Sequence, residues 1–304
     1  MSTSAITLSA VRKAYSGHVA VDDLTFSIPR GGIFGLLGPN GAGKTTTLRM
    51  IMNILVPDRG RVEILGAPAT QSGRDRIGYM PEERGLYQRM VVEEQLVFFA
   101  TLKGMPRAEA LRRLPAWLER LGLSEWRKRR LNELSKGMQQ KAQFVATVLH
   151  DPEILILDEP MSGLDPVGVN LMRDVLLDLQ REGKTLVLSS HQMETVERLC
   201  DEIALIDKGR LVLSGKVADV KRSHGRDVLV LAYEGDGAFL AKVPGVLELK
   251  DCGRHVEVRM APGTDTQAIL GAAAAQLRVT RFEVVEPSLH DIFVEQVTRP
   301  GALA

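Results

Sequence analysis

The chain opens with alternation. In "AITLSAVRKAY" and "HVAVDDLTFSI" apolar and polar residues change places at nearly every second position. That is the period of a strand with one buried face, and Ser16-Gly17 between the two runs predicts a turn. "GGIFGLLG", "PEILILDEP" and "KTLVLSSH" are instead continuously apolar before ending in polar residues. Interior strands of a parallel sheet, covered on both faces, read this way. "RGRVEILG" predicts one more strand, "KTTTLRMIMNIL" a helix, and "EIALIDKGRLVLSG" a hairpin turning at Lys208-Gly209. From about residue 91 to 150 the apolar spacing lengthens to three and four, as in "VEEQLVFFATLKG" and "RRLPAWLERLGL", which predicts a helical subdomain. Beyond about Val220, "DVLVLAY", "HVEVRM" and "RFEVVE" surround one alanine-rich helix, "TQAILGAAAAQL". The expected organisation is an α/β domain over 1–220 and a small α+β domain over 221–304.

Composition narrows the class. With 304 residues, 44% hydrophobic and 25% charged, the chain can build ordinary cores. A net charge of +1 gives no bulk-charge argument for a nucleic-acid binder or for an enzyme of acidic substrates. Cys200 and Cys252 stand far apart and outside any metal spacing, which fits a reduced compartment without a disulfide framework. No apolar run approaches the ~18 residues of a spanning helix, and the start lacks the pattern of a signal peptide. If the protein serves a membrane, another chain is expected to do the spanning.

Chemistry enters at "GPNGAGKT", Gly38 to Thr45, which matches G-x-x-x-x-G-K-[ST] between an apolar strand and a helix. Glycines at these positions let backbone amides converge on phosphate oxygens. Gly38, Pro39, Asn40, Gly41, Ala42, Gly43, Lys44, Thr45 and Thr46 are therefore the candidate phosphate cradle. Lys44 can reach the outer phosphates and Thr45 can ligate Mg²⁺. In "ILILDEP", Asp158 ends a strand where it can hold Mg²⁺, and Glu159 is placed to act as general base toward water. His191 ends the strand of "TLVLSSH", where it can donate to a γ-phosphate. A second anion site is suggested by "LNELSKGMQQK", with Ser135 and Gly137 just ahead of a helical run. One chain with two phosphate sites requires a reason.

The order of these segments resembles the ATP-binding cassette of ABC transporters, over roughly Ala5 to Lys221. The resemblance implies ATP and Mg²⁺ as cofactors. It also supplies the reason: in that family the signature of one subunit, here "LSKGM", closes over ATP held by the phosphate loop of another. Ser135 and the amide of Gly137 would then meet the γ-phosphate across an interface. The same resemblance implies Tyr15 stacking on adenine and Asp165 of "SGLD" aligning the two sites. It puts Glu82 of "GYMPEERGLY" where a glutamine usually faces Mg²⁺ and the lytic water, with Arg84 as a basic neighbour able to bond it. Lys136 and Met138 replace the usual glycine and glutamine of the signature. "PEERGLY", "LSKGMQQK" and "ATVLHDPEILILDEP" together resemble a bacterial sodium- and drug-extrusion branch in which the glutamate is usual. "EPSLHDIFVEQV" resembles the accessory domain of that branch.

By this resemblance the chain is expected to be an ATPase powering export, with a second cassette, identical or related, and an integral membrane permease as partners. No nucleic acid is expected, and the expected location is the cytoplasmic side of the cell membrane. Family members acting on ribosomes or DNA usually carry two cassettes or a long coiled coil. Neither pattern is present here. Two smaller features read as structural: "RKRR", Arg127 to Arg130, as a solvated helix end, with contact to a partner protein or acidic lipid as the alternative, and "VFFATLKGM" as core packing, with a groove for a partner's helix as the alternative.

Overall fold

Two long strands, β1 (Ser4–Tyr15) and β2 (His18–Pro29), form an antiparallel hairpin that closes at the pair Tyr15 and His18. Gly17 takes the left-handed conformation that the tight turn requires. The chain then runs through β3 (Ile33–Leu37), α1 (Lys44–Ile51), β4 (Arg59–Ile64), β5 (Ala67–Pro68), β6 (Ile77–Met80), α2 (Val92–Leu102), α3 (Arg107–Arg120) and α4 (Lys136–Val148). It continues with β7 (Ile154–Asp158), α5 (Pro166–Arg181), β8 (Thr185–Ser190), α6 (Met193–Leu199), β9 (Glu202–Asp207) and β10 (Arg210–Lys216). This computed structural model describes residues 4–69, 76–83, 85–224, 228–261 and 263–298. The chain divides into two compact units, Met1–Lys216 and Val217–Ala304.

The first unit holds two sheets. One is antiparallel, in the order β2-β1-β4-β5; the other has the order β10-β9-β3-β8-β7-β6 and is parallel except for β10. Every residue of β3 and of β7 is buried, in keeping with their unbroken apolar runs. The register sets Leu37 beside Ser190 and Asp158 beside Ser189. Parallel strands end on the same side, so the segments that follow β3, β7 and β8 emerge together, the usual place for ligands in such sheets. Between the sheets lies a core that includes Leu8, Leu24, Leu48, Ile51, Ile156, Val187 and Ile206. Phe26 and Phe34 stack across it with centroids 5.7 Å apart. Each large side chain so buried contributes about 1.5–3 kcal/mol.

The helices α2, α3 and α4 bear out the predicted helical subdomain. Val92, Leu96 and Ala100 of α2 and Ala110, Leu114 and Leu118 of α3 recur at intervals of four and are buried. The basic cluster ahead of α4 is more than a solvated end. Arg127 and Lys128 both bond the nearly buried carboxylate of Glu93, the latter at 2.5 Å. Two of the four cations thus tie this segment to the start of α2. In the "VFFATLKGM" stretch Val97 and Ala100 pack inward, whereas Phe98 and Leu102 are exposed, as is Tyr87 nearby in sequence.

The second unit comprises α7 (Val217–Ser223), β11 (Val228–Glu234), β12 (Val246–Asp251), β13 (Val256–Met260), α8 (Thr266–Gln276), β14 (Arg278–Val285) and α9 (Leu289–Thr298). Its antiparallel sheet has the order β12-β13-β11-β14 around its own core of Leu229, Leu231, Leu240, Val258, Met260 and Ile269. The predicted strands and alanine-rich helix are present; β12, α7 and α9 are additions. Polar residues make up half of β12 and its burial is slight, so no apolar run marks it as a strand. At the β12–β13 turn, potential ligand atoms of Cys252, His255 and Glu257 fall within 4.8 Å of one another. Glu257 is already paired there with Lys250, at 3.2 Å. No described helix is long and apolar enough to cross a membrane.

Candidate functional site

The loop from Gly38 to Gly43 depends on its glycines. Gly38, Gly41 and Gly43 have φ of +151°, +80° and +103°. A Cβ on Gly38 would stand 2.1 Å from the carbonyl oxygen of Ile206, and one on Gly43 2.4 Å from that of Ala20. Both are backbone atoms that cannot swing aside. The amide of Ala42 donates to Pro39 O at 3.2 Å, and Gly209, in the β9–β10 turn, donates to Ala42 O at 2.9 Å. The same Gly209 accepts from the amide of Asp22 at 2.8 Å, so both sheets brace the loop.

Lys44 begins α1 and folds back over the loop, donating from Nζ to Gly38 O at 2.7 Å and to Pro39 O at 3.1 Å. Burial lowers its pKa, while the carboxylates of Glu159, Asp158 and Glu82 oppose that shift. Thr45 and Thr46 follow in the first turn, where free amides and the helix dipole favour an anion. Together with His18, Ala20, Glu82, Asp158 and Glu159, residues Asn40 to Thr46 line a cleft of about 480 Å³. The structure therefore gathers Asn40–Thr46, Glu82, Asp158 and Glu159 in one place, with Gly38 and Pro39 forming the approach.

Asp158 and Glu159 are adjacent in sequence yet differently held. Asp158 is almost wholly buried, and its Oδ1 accepts the hydroxyl hydrogen of Ser189. Its Oδ2 is buried with no hydrogen-bond partner among the described residues. An unpartnered hard oxygen at the wall of a cleft that also offers the Thr45 hydroxyl and the Glu82 carboxylate fits Mg²⁺, which takes oxygen ligands. Glu159 has φ of +50°, a left-handed conformation that costs a non-glycine residue roughly 1–3 kcal/mol. Its amide donates to Ser189 Oγ at 3.0 Å, and its Oε1 accepts from the amide of His191 at 3.0 Å. His191 Nδ1 lies 2.8 Å from the same oxygen. His191 and Glu159 also line a second cleft, about 560 Å³, with Ser162, Gly163, Leu164 and Gln192.

The remaining candidates stand elsewhere. Tyr15 is 45% exposed at the end of β1, with the Lys13 ammonium 6.0 Å from its ring centroid. It does not line the phosphate cleft; its register partner His18 does. Ser135 caps α4, its Oγ accepting the amide of Met138 at 3.3 Å. Ser135 and Lys136 are exposed, and Gly137 sits close to Gly163 O, where a Cβ would come within 3.2 Å. Neither Ser135 nor Gly137 borders the chain's own phosphate cleft. Asp165 caps α5 through Gly168, at 2.8 Å. Arg84, the suggested partner of Glu82, lies outside the described residues.

Three groups in the site escape a reading of the sequence. Ser189, between the two carboxylates, carries no mark of its role in "TLVLSSH". Gln140 Nε2 donates to the carbonyls of Glu159 and Pro160, at 3.3 and 3.2 Å. Gln143 Nε2 donates to those of Pro81 and Glu83, at 2.8 and 3.4 Å. For these two a signal exists: two glutamines three apart on the face of a helix whose other buried residues are mostly apolar.

A phosphate-binding loop feeding a helix, set opposite an acidic strand end on a parallel sheet, is the construction of a P-loop nucleotide hydrolase. Comparison with known proteins specifies it further. The profile of the family described as ABC transporter matches residues 21–162, and that of the ATP-binding protein DrrA1-3-like C-terminal domain matches residues 215–297. The chain is 44% identical to the uncharacterized ABC transporter ATP-binding protein YhaQ of Bacillus subtilis, over 96% of this chain and 98% of that one. It is 39% identical to the Nod factor export ATP-binding protein I of Ralstonia nicotianae, over 71% and 68%. A solved ATP-binding subunit of an ABC transporter superposes with a TM-score of 0.67 at 32% identity, over 72% of this chain and 92% of that one. The chain belongs to the ABC transporter ATP-binding proteins. It binds ATP and is an ATPase, the nucleotide-binding subunit of a transporter.

Proposed function

We propose that this subunit powers export through a separate membrane permease, by ATP-dependent closure and reopening of a pair of cassettes. Each ATP lies in the cleft of one chain and is capped by Ser135 and Gly137 of the other. The observation that carries this reading is the separation within one chain. Two sets of anion-binding groups are present, and the signature end of α4 is exposed and absent from the lining of the 480 Å³ cleft. The export direction rests on the likeness to an export ATP-binding protein, and the permease on membership of the ABC transporter family. With them comes a peripheral position on the cytoplasmic side of the membrane.

Within the cleft the loop amides and Lys44 hold the phosphates, and Tyr15, beyond the cleft at the end of β1, stacks on the adenine. Thr45, Asp158 and Glu82 would supply oxygen donors for Mg²⁺, which would neutralise charge on the phosphate oxygens. Glu159 takes the proton of the attacking water. His191 orients Glu159 and turns toward the γ-phosphate as charge spreads there. Loss of the γ-phosphate removes the shared contacts, and the pair opens. A permease with different affinity for the closed and open pairs is thereby driven between two states.

Mixing two disabled chains tests the shared site. Lys44→Ala and Ser135→Arg chains are each expected to be inactive, and their mixture to regain hydrolysis. In the mixed pair one intact loop meets one intact signature. No recovery in mixed pairs whose formation has been demonstrated overturns the reading.

A further inference from the structure

A chain of glutamine contacts joins the signature end of α4 to the segments that carry Glu159 and Glu82 in the same polypeptide. Gln139 Nε2 donates to Leu131 O at 3.1 Å and Leu134 O at 3.0 Å, fixing the segment that leads into Ser135. One residue on, Gln140 reaches the carbonyls of Glu159 and Pro160. Gln143, three residues later and so on the same face of the helix, reaches the carbonyls that flank Glu82, those of Pro81 and Glu83. Gln140 and Gln143 are both buried.

These side chains are not packing residues that happen to be polar. Gln143 Oε1 is buried with no hydrogen-bond partner among the described residues. An apolar side chain of similar volume would avoid that cost. What the amide group adds is its nitrogen, and both nitrogens are directed at backbone rather than at any side chain. At one end, the backbone they grip is already restrained. Glu159 is already in a left-handed conformation, with its amide fixed to Ser189 and its carboxylate to His191. A small rotation of α4 therefore moves the Glu159 carbonyl and the Glu82 loop together.

We propose that Gln140 and Gln143 are positioning residues that couple the signature of each chain to that chain's own hydrolytic site. Capture of the partner's ATP by Ser135 and Gly137 draws on α4, and α4 sets Glu159 and Glu82 for the ATP held at home. The two ATP molecules are then hydrolysed interdependently. The inference rests on the shared site proposed above and adds a direction of information: from the signature inward, along one helix.

The test uses the full-length chain with Gln140→Met, Gln143→Met and the double substitution. Methionine keeps nearly the same volume and removes the donor. The ATP dependence of hydrolysis is measured for each, and ATP-dependent pairing is followed on a sizing column in a Glu159→Gln background. The expected result is pairing as in the parent, since the signature itself is intact. KM for ATP should stay within about twofold while kcat falls roughly ten- to hundredfold, the scale of a misplaced catalytic group. The Hill coefficient should fall from above one in the parent toward one. A purely structural role would lower Tm without changing the Hill coefficient. Should the double variant fail to fold, the single variants report the same quantities.

Pairing with kcat and Hill coefficient both at parental values overturns the coupling while leaving the shared site in place. A parent with a Hill coefficient of one overturns it as well. A Glu159→Gln parent that never pairs in ATP overturns the shared site, and this inference with it.

Discussion

His191 Nδ1 lies 2.8 Å from Glu159 Oε1, and the backbone amide of His191 donates to that same oxygen at 3.0 Å. One residue thus aims the carboxylate through both its ring and its main chain. Replacement of the ring leaves the amide contact, so His191 and Glu159 differ in what their loss predicts. Glu159→Gln removes the proposed base and should slow hydrolysis by roughly 10²–10⁴, with an ATP-bound pair accumulating on a sizing column. Unchanged turnover would show that the base is another group. His191→Ala should also lower kcat but by less than Glu159→Gln, with KM for ATP nearly unaltered.

Ser189 joins Asp158 to Glu159, donating to the first and accepting from the amide of the second. Ser189→Ala leaves the buried Asp158 Oδ1 without that donor, a loss of about 1–3 kcal/mol. Urea unfolding should register it, and kcat should fall because the Glu159 backbone loses one of its restraints. A variant with parental stability and parental kcat would show that the bridge is dispensable.

Glu82 lines the cleft alongside Lys44, Thr45 and Asp158. Glu82→Gln keeps the shape and removes a negative charge near phosphate. Nucleotide binding should remain nearly intact, as measured by fluorescence titration. Complete loss of binding would mean that this loop holds ATP more directly than the cleft geometry suggests.

His150, between α4 and β7, is pushed down to about 4 by burial, aided by the Lys103 ammonium. The unfolded chain keeps the ordinary value near 6.5. Between these values the unfolded state binds a proton that the folded state does not, so stability falls as pH drops from about 6.5 toward 4. The loss is at most about 3 kcal/mol. In His150→Leu the slope of unfolding free energy against pH over that window should be shallower. An identical slope would assign the acid sensitivity to other groups.

Much of the first unit is legible in the sequence because its strands carry one of two clear patterns, alternating in β1 and β2, unbroken in β3, β7 and β8. The phosphate cradle is legible because glycine spacing is a backbone requirement, and backbone requirements leave a mark in sequence. β6 is less so: "IGYM" is short and contains a glycine, and its place at the sheet edge depends on pairing with β7. Ser189 and the two glutamines of α4 escape for a related reason. Their roles are contacts with main-chain atoms of segments far away in sequence, and a carbonyl acceptor has no letter. The Glu93 contacts of Arg127 and Lys128 escape likewise, since charge clusters do not announce which carboxylate they meet.

The phosphate loop has a consequence for how this cassette comes into being. Its eight-letter motif is local, but its walls are Ala20 on one side and Ile206 on the other, with Gly209 as the strut. During synthesis the motif leaves the ribosome some hundred and sixty residues ahead of that strut, by the numbering alone. A fragment ending at residue 162 would spell out the whole motif and still lack one wall and the brace, so competence to hold a nucleotide arrives late, as a property of the finished unit.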